Sequence, residues 1–537
     1  MPQSPSDAAG TPPDDLSALA PLRRPVFRML WATWLTANTC MWMSDVAAAW
    51  LMTTLTASPA WVAAVQTAST LPVFLLGLPS GALADILDRR RYFMMTQFWI
   101  AGVSTLLCVA LVAGVMSAPM LLALVFLNGI GLAMRWPVFA AIVPELVPRP
   151  QLPAALALNG VAMNASRIIG PLLAGAIIAA AGSMWVFMLN ALLSVVAGFT
   201  IMRWRRQSVP DPLGREPLTV AMRVGLQHVR QSRPLRAVLL RIGLFFLHST
   251  ALLALLPLVA RAMPDGAAGT FTLLLAAMGI GAIVAALNMQ KIRRRLDTEA
   301  LVLTGASLQA VATLVMSFSP HLAVALPVMF CAGAAWITTA NSMTVTAQMT
   351  LPDWVRARGM SMYQLAIMGA SALGAAIWGQ VASHSSVQAS LVTAGVSGVI
   401  TMLLAQRLMP QRAGEVLDLT PARSQIAHTL PRTAAPGRVI AQIEYLIDPA
   451  QADAFHAVMQ DSRRARLSQG ALDWVLLHDM SEPGRFVEQV IDVSWTEHLR
   501  RFDRFTASDV ALRDRRLKFH IGEAPPRVTR YVVEEEH

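Results

Sequence analysis

The sequence predicts an all-α polytopic membrane protein, with twelve transmembrane helices in two six-helix repeats and a C-terminal α+β cytosolic domain. Three observations carry this prediction. Of 537 residues, 55% are hydrophobic and only 14% are charged, against about a quarter charged in an ordinary soluble protein. Twelve apolar stretches each approach or exceed the roughly 20 residues that cross a bilayer's hydrocarbon. A single offset of 204 residues (293 − 89) lays an arginine triplet, a proline and several glycines of one half onto the other.

Residues 1–24 are rich in Pro, Ser and Asp. No basic segment precedes an apolar run there, so a disordered cytosolic tail is expected rather than a secretory signal. The first half, 25–202, holds spans at 29–55, 60–83, 93–116, 120–143, 155–181 and 183–202. The second half, 237–408, holds spans at 237–259, 267–289, 300–318, 322–347, 360–382 and 387–408. Between them lies a cytosolic loop, 203–236, with an interfacial helix. Leu218, Met222, Leu226 and Val229 fall on one face of that helix, and Arg223, Arg230 and Arg233 lie off it. A Pro/Arg-bearing linker follows at 409–437.

Residues 438–533 change character. Val439, Ala441, Ile443, Tyr445 and Ile447 alternate as in a half-buried strand. A helix is expected from Asp448 to Ser468, then a hairpin of 472–479 and 485–493 around "SEPG", helices over 494–520 and a last strand in "RVTRYVV". The order βαββαβ is ferredoxin-like. It resembles the dimeric α/β barrels related to antibiotic-biosynthesis monooxygenases. His456, His478, Trp474, Trp495 and His498 are available there, but their spacing demands no catalysis. The domain is expected to regulate, to receive cargo or to dimerise.

The charges set orientation. The net charge is +11, carried almost entirely by arginine. Arginines lie between apolar runs, so they read as topology determinants and not as a nucleic-acid surface. The connections after spans 1, 3 and 5 ("TASPA", "SAP", "AGS") carry no charge. The alternate loops carry Arg89–Arg91, Arg149, the arginines of 203–236, Lys291 with Arg293–Arg295, and Arg356 with Arg358. Only Arg261 breaks the pattern. The positive-inside rule then places both termini in the cytosol. Cys40, Cys108 and Cys331 are isolated within apolar runs, with neither a disulfide framework nor metal spacing. No cofactor or metal is expected, and no phosphate-binding glycine loop suggests ATP-driven pumping.

The offset of 204 takes Gly77 to Gly281, Gly129 to Gly333, Pro148 to Pro352, Gly170 to Gly374, Gly175 to Gly379, and Arg89–Arg91 to Arg293–Arg295. Two parallel six-span halves are the architecture of the major facilitator fold. In "GALADILDRRRYF", Gly81, Asp85, Arg89 and Arg90 match the pattern of that family's loop between spans 2 and 3. Ile86 and Asp88 depart from it, standing where a basic residue and a glycine are usual. The stretch "FRMLWATWLTANTCMWMSDVAAAW" and residues 143–175, "VPELVPRPQLPAALALNGVAMNASRIIGPLLAG", resemble the enterobactin-exporter-like branch, the transmembrane secretion effectors. The resemblance covers about residues 25 to 533. It implies a secondary exporter of small-molecule cargo, driven by the proton gradient in a bacterial inner membrane. The arginine of the span-4 motif of many drug–proton antiporters is absent, since Val125 and Leu127 occupy its candidate positions.

Charges at mid-depth cost about 2.5–3.5 kcal/mol on insertion scales and so need a reason. Asp45 in span 1, Arg135 in span 4 and Arg167 in span 5 are the candidates for proton coupling or substrate contact. The resemblance implies that spans 1, 4, 7 and 10 line the cavity. Asp45 there could take up and release a proton as the cavity dries and hydrates, or it could form a structural ion pair with an arginine. Trp42, Trp136, Thr339, Ser342 and Thr346 are expected to line the cavity, the last three sharing a helical face of span 10. Gly81, Asp85, Arg89 and Arg90 would gate or simply anchor the cytosolic loop. Gly170, Pro171 and Gly175 on span 5, with Gly374 and Gly379 on span 11, would pack helices closely where the halves rock. An importer, a membrane-anchored enzyme and a non-transporting sensor are the alternatives.

Overall fold

The computed structural model describes residues 17, 19–204, 218–264, 266, 268–319, 321–409, 418–422 and 437–534. The helices of the first half are α1 (Pro25–Leu55), α2 (Pro59–Ile86), α3 (Arg89–Val112), α4 (Ala118–Leu146), α5 (Leu152–Ala181) and α6 (Ser183–Arg203). A shorter helix, α7 (Leu218–Gln231), falls in the central loop. The second half holds α8 (Arg233–Arg261), α9 (Ala268–Arg293), α10 (Thr298–Ser317), α11 (Leu322–Met349), α12 (Asp353–His384) and α13 (Val387–Leu408). Among the described residues, eleven helices are long and apolar enough to cross a membrane. Besides the short α7, the helix outside that set is α1. Its 31 residues reach about 46 Å at 1.5 Å per residue, but Arg28, Asn38, Asp45 and several Thr and Trp residues dilute its apolar character.

Local chemistry fixes the helix ends. Pro25 and Pro59 occupy first-turn positions, where a missing N–H costs nothing. Asp88 caps α3, its carboxylate accepting from the Arg91 amide, and Asp297 caps α10 by accepting from Ala300. The departure at Asp88 from the family's loop pattern is therefore a helix cap. Gly182, at φ +94°, makes the sharp turn between α5 and α6.

The helix contacts divide the chain into two compact units. The first comprises residues 1–209, 242–342 and 365–404. Its main core joins Met43, Ala47 and Met52 of α1 with Leu252 and Leu256 of α8, Phe271 and Leu274 of α9, and Ala325, Met329 and Ala332 of α11. A second core surrounds Trp34, stacked on Phe139 at 3.9 Å between ring centroids.

The second unit comprises 210–241, 343–364 and 405–537. Its C-terminal part runs β1 (Val439–Leu446), α14 (Ala452–Ser468), β2 (Asp473–His478), β3 (Arg485–Asp492), α15 (Trp495–Asp503), α16 (Ala507–Leu517) and β4 (Arg527–Val532). The strands form an antiparallel sheet in the order β2-β3-β1-β4. Tyr445, Phe455, Met459, Trp474, Phe486 and Val490 form its core. Residues 418–422, expected as linker, are clipped onto this domain. The Ala507 amide donates to Thr420 O at 2.9 Å, and the Ala422 amide to Phe505 O at 2.9 Å.

Helix α7 departs from the expected face. Val224, Gly225 and His228 are buried among its described positions, and Leu226 is exposed. The buried side lies against α14 and the start of α12. Gln227 donates to Ala471 O at 3.3 Å, and the His228 ring meets Trp354 edge-on at 5.5 Å. The Arg504 guanidinium lies 5.4 Å from the same Trp354 ring.

Candidate functional site

The three mid-depth charges have three different surroundings. Asp45 accepts a hydrogen bond at 3.0 Å from Ser69 of α2. Arg135, on α4, does not reach it. The Arg135 guanidinium is buried and donates to Ala37 O at 3.3 Å and to Asn38 Oδ1 at 3.4 Å, both on α1. It also lies 5.5 Å from the Trp34 ring. Asn38 is itself held, donating to Trp34 O at 2.7 Å. The ion pair considered between Asp45 and an arginine does not form among the described residues. Arg135 ties α4 to α1, and Asp45 ties α1 to α2.

Arg167 of α5 lies between two indole rings. Its guanidinium carbon is 4.0 Å from the Trp336 ring centroid of α11 and 5.0 Å from that of Trp42 on α1. Trp336 is held edge-on by Phe246 of α8 at 5.5 Å. Each cation–π contact contributes about 0.5–2 kcal/mol. Two of them offset most of the roughly 2.5–3.5 kcal/mol cost of an arginine at mid-depth without any carboxylate. The residues around Arg167 come from α1 and α5 on one side and from α8 and α11 on the other.

The expected cavity wall is more divided. Trp136 is half-buried and packs edge-on against Trp34 at 6.0 Å. Thr339 is fully buried and faces α10, where a Cβ at Gly305 would overlap its hydroxyl. Ser342 is also buried, and Thr346 is half-buried. Thr339 thus packs a helix pair and does not open onto a cavity.

In the loop between α2 and α3, Arg89 pairs with Glu145 of α4 at 2.6 Å. Arg90 donates to the Met202 carbonyl at the end of α6. Gly81 lies within α2 with open space around its Cα. The side chain of Asp85 lies outside the described residues. Glu145 was not among the sequence candidates. Its signal is a carboxylate in "VPELVP", at the C-terminal end of α4, where the arginine triplet can reach it.

The glycines make close approaches, but span 5 does not meet span 11 through them. A Cβ at Gly170 would lie 2.6 Å from Trp42 Cβ and 3.0 Å from Thr39 O, so α5 presses on α1 beside Pro171. A Cβ at Gly374 would overlap Leu247 O of α8. At Gly175 a Cβ would overlap the Thr272 side chain of α9, and at Gly379 it would lie 2.6 Å from Ala63 Cβ of α2.

The C-terminal domain buries two carboxylates on the core face of β3. Glu488 is fully buried and accepts from Arg466 Nε at 3.2 Å, Trp474 Nε1 at 3.0 Å and Tyr445 Oη at 3.1 Å, with Arg516 at 3.4 Å. Burial alone would raise its pKa, but Arg466 and Arg516 beside it bring it down to about 2. Asp492 is likewise depressed, with burial opposed by Arg501 and His498. His498 places Nδ1 2.7 Å from Asp492, and its Nε2 accepts from Arg530 at 3.1 Å. Burial lowers its pKa, which keeps the ring neutral with the proton on Nδ1. Both nitrogens of this imidazole are thus engaged within the domain. Trp474 is likewise spent on Glu488, and His478 on Pro483 O at 2.9 Å. Among the described residues no group of His, Cys, Asp and Glu could hold a metal ion.

These features define a polytopic α-helical membrane protein with a small C-terminal β/α domain. The family model described as "Transmembrane secretion effector" matches residues 16–537. The chain belongs to that family, a branch of the major facilitator transporters. It is 26% identical over 400 residues to the multidrug efflux pump Tap of Mycolicibacterium fortuitum, covering 71% of this chain and 96% of that one. It is 25% identical over 256 residues to the staphyloferrin A transporter of Staphylococcus aureus, covering 47% of this chain and 63% of that one. It is 28% identical over 197 residues to macrolide efflux protein A of Enterococcus faecalis, covering 35% and 59%. Among solved structures, the nucleoside transporter NupG superposes with a TM-score of 0.58 at 11% identity, covering 72% of this chain and all of that one. A POT family transporter gives 0.59 at 12% identity, covering 72% and 96%. Both likenesses are of fold.

Proposed function

We propose that the chain is a secondary active transporter, a proton-coupled exporter that moves small amphipathic molecules by alternating access. One observation carries this reading: the helix contacts of one half repeat in the other. Gly170 meets α1 at Thr39–Met43, and Gly374 meets α8 at Leu247, where 247 − 204 = 43. Gly175 of α5 meets α9, and Gly379 of α12 meets α2, and α9 is the counterpart of α2 by the pairing of Gly77 with Gly281. Two equivalent halves joined by two equivalent seams have two equivalent ways to open, which is what alternating access needs. Twelve spans in two six-helix repeats, α1 included, with both termini cytosolic and an inner-membrane location, belong to this reading. So does the ferredoxin-like assignment of the C-terminal domain, supported by its strand order. Exposed Leu446, Leu477 and Tyr531, on the sheet face opposite the domain's core, support pairing of two copies.

Asp45 is the proton-coupling candidate, because its hydrogen-bond partner is the neutral Ser69 and not a cation. The relatives' names favour efflux of drug- or siderophore-like cargo. The test is cargo-driven proton flux in proteoliposomes with a panel of siderophores and amphipathic drugs, for wild type and Asp45→Asn. Coupled flux lost in a well-folded Asp45→Asn protein is expected. Flux that survives removes Asp45 from the coupling role, and no flux with any cargo in wild type removes the proton-coupled reading.

A further inference from the structure

We propose that the guanidinium of Arg167, between Trp42 and Trp336, binds a carboxylate on the cargo, so that the preferred cargo is an acid with an apolar body. The inference rests on the transporter reading above and names the chemistry of its cargo.

The argument begins with hydrogen-bonding capacity. A guanidinium carries five N–H donors in a planar fork that matches a carboxylate in two parallel bonds. Arg135 spends donors of both terminal nitrogens on α1, at Ala37 O and Asn38 Oδ1. Arg167 spends its charge on two ring faces, which accept no fork of hydrogen bonds. Among the described residues no carboxylate lies within 4.0 Å of it, and it has no hydrogen-bond acceptor. The side chain is only part-buried, so these donors are not sealed into packing. A cation held at mid-depth by aromatic faces has its position fixed and its donors in reserve.

The placement suits a translocated group. Arg167 and Trp42 belong to the first set of helices, and Trp336, braced by Phe246, to the second. A carboxylate arriving at the fork would replace cation–π attraction with a bidentate ion pair. The indoles would then be left to cover the apolar remainder of the cargo. Releasing the guanidinium from Trp336 would also loosen one bond between the two helix sets as cargo binds.

A second cation lies where such a cargo would leave. Arg261, the exception to the arginine distribution, is exposed at the end of α8. It lines a cleft of about 460 Å³ with Thr53, Thr54 and Thr56 from the end of α1 and with Leu258 and Ala262. Under the proposed orientation this is the extracytosolic mouth. An exposed arginine among hydroxyl groups there favours anions over cations.

The test uses the full-length protein in lipid nanodiscs at pH 7.5. Binding of 1-pyrenebutyrate and of its uncharged carboxamide is measured by equilibrium dialysis, with empty nanodiscs subtracted. The acid is expected to bind at least tenfold more tightly than the amide. Arg167→Gln should bring the two within about twofold, Arg167→Lys should retain part of the preference, and Trp336→Leu should weaken both ligands. Equal binding of acid and amide to wild type would overturn the proposal without needing any variant. So would no acid binding at millimolar concentration, or a preference that persists in Arg167→Gln. Proteoliposomes that transport an uncharged or cationic drug while showing no acid preference would keep the transporter reading and discard this one.

Discussion

Protonating Glu488 should unfold the C-terminal domain locally, and the structure gives the size of the effect. The carboxylate is fully buried, so solvent screening does not reduce the interaction. Its pKa is held at about 2 against an ordinary 4.5, a difference worth about 3 kcal/mol at 1.36 kcal/mol per pH unit. The folded value lies below the unfolded one. The stabilisation is therefore fully present above pH 4.5 and is lost as pH falls towards about 2. Glu488→Gln at pH 7 should cost about 3–5 kcal/mol, because it leaves Arg466 and Arg516 buried without their counter-charge. Hydrogen exchange of the β1 and β3 amides in the full-length protein, corrected for intrinsic rates, measures both effects. Protection in Glu488→Gln within about 1 kcal/mol of wild type would refute the reasoning, as would wild-type protection unchanged between pH 5 and 2.5.

Three further outcomes are expected. Gly175→Leu drives a side chain into Thr272, so transport should fall more than tenfold with normal membrane insertion, and Thr272→Ala in the same protein should restore part of it; full activity of the single variant would remove the seam from the mechanism. Arg504→Ala loses bonds to Glu497 at 2.8 Å and Gln469 O at 2.7 Å and the contact with Trp354. It should speed proteolysis and hydrogen exchange in 218–231 several-fold, and unchanged rates would show that this contact does not hold α7. Arg89→Ala breaks a pair whose side chains are 19% and 25% exposed, so stability measured by thermal unfolding should change by only about 1 kcal/mol or less. A transport rate reduced far beyond that small loss would assign the pair to gating.

Long-period features were legible in the sequence and short-range partnerships were not. Each predicted span contains a helix, because twenty apolar residues leave the backbone no alternative in lipid. The strands of the C-terminal domain were legible because buried Val439, Ala441 and Tyr445 alternate with half-buried positions. The same alternation in "RFVEQVID" puts Glu488 and Asp492 on the face of Phe486 and Val490. That was a readable sign of buried carboxylates needing arginines. By contrast, Asp45 with Ser69 and Arg135 with Asn38 depend on how each helix is rotated about its axis, which an apolar run does not specify. Thr339 shows the same limit. Its spacing with Ser342 marks a face, but only Gly305 on α10 decides what that face meets.

The two mid-depth arginines of the first half show how an identical residue can be put to opposite uses. Arg135 meets a carbonyl and an amide oxygen, groups that occupy N–H donors and hold the side chain to one helix. Removing it leaves Ala37 and Asn38 short of a donor and should loosen α1 from α4. Arg167 meets ring faces, which stabilise the charge through the π quadrupole and leave the donors unspent. Its removal leaves no acceptor unsatisfied among the described residues. Stability should therefore separate the pair: Arg135→Leu should lower the melting temperature of the purified protein by several degrees more than Arg167→Leu does. Binding of an acidic cargo should show the reverse order. Equal destabilisation by the two substitutions would mean that Arg167 is a packing group like Arg135, and the reserve of donors would lose its meaning.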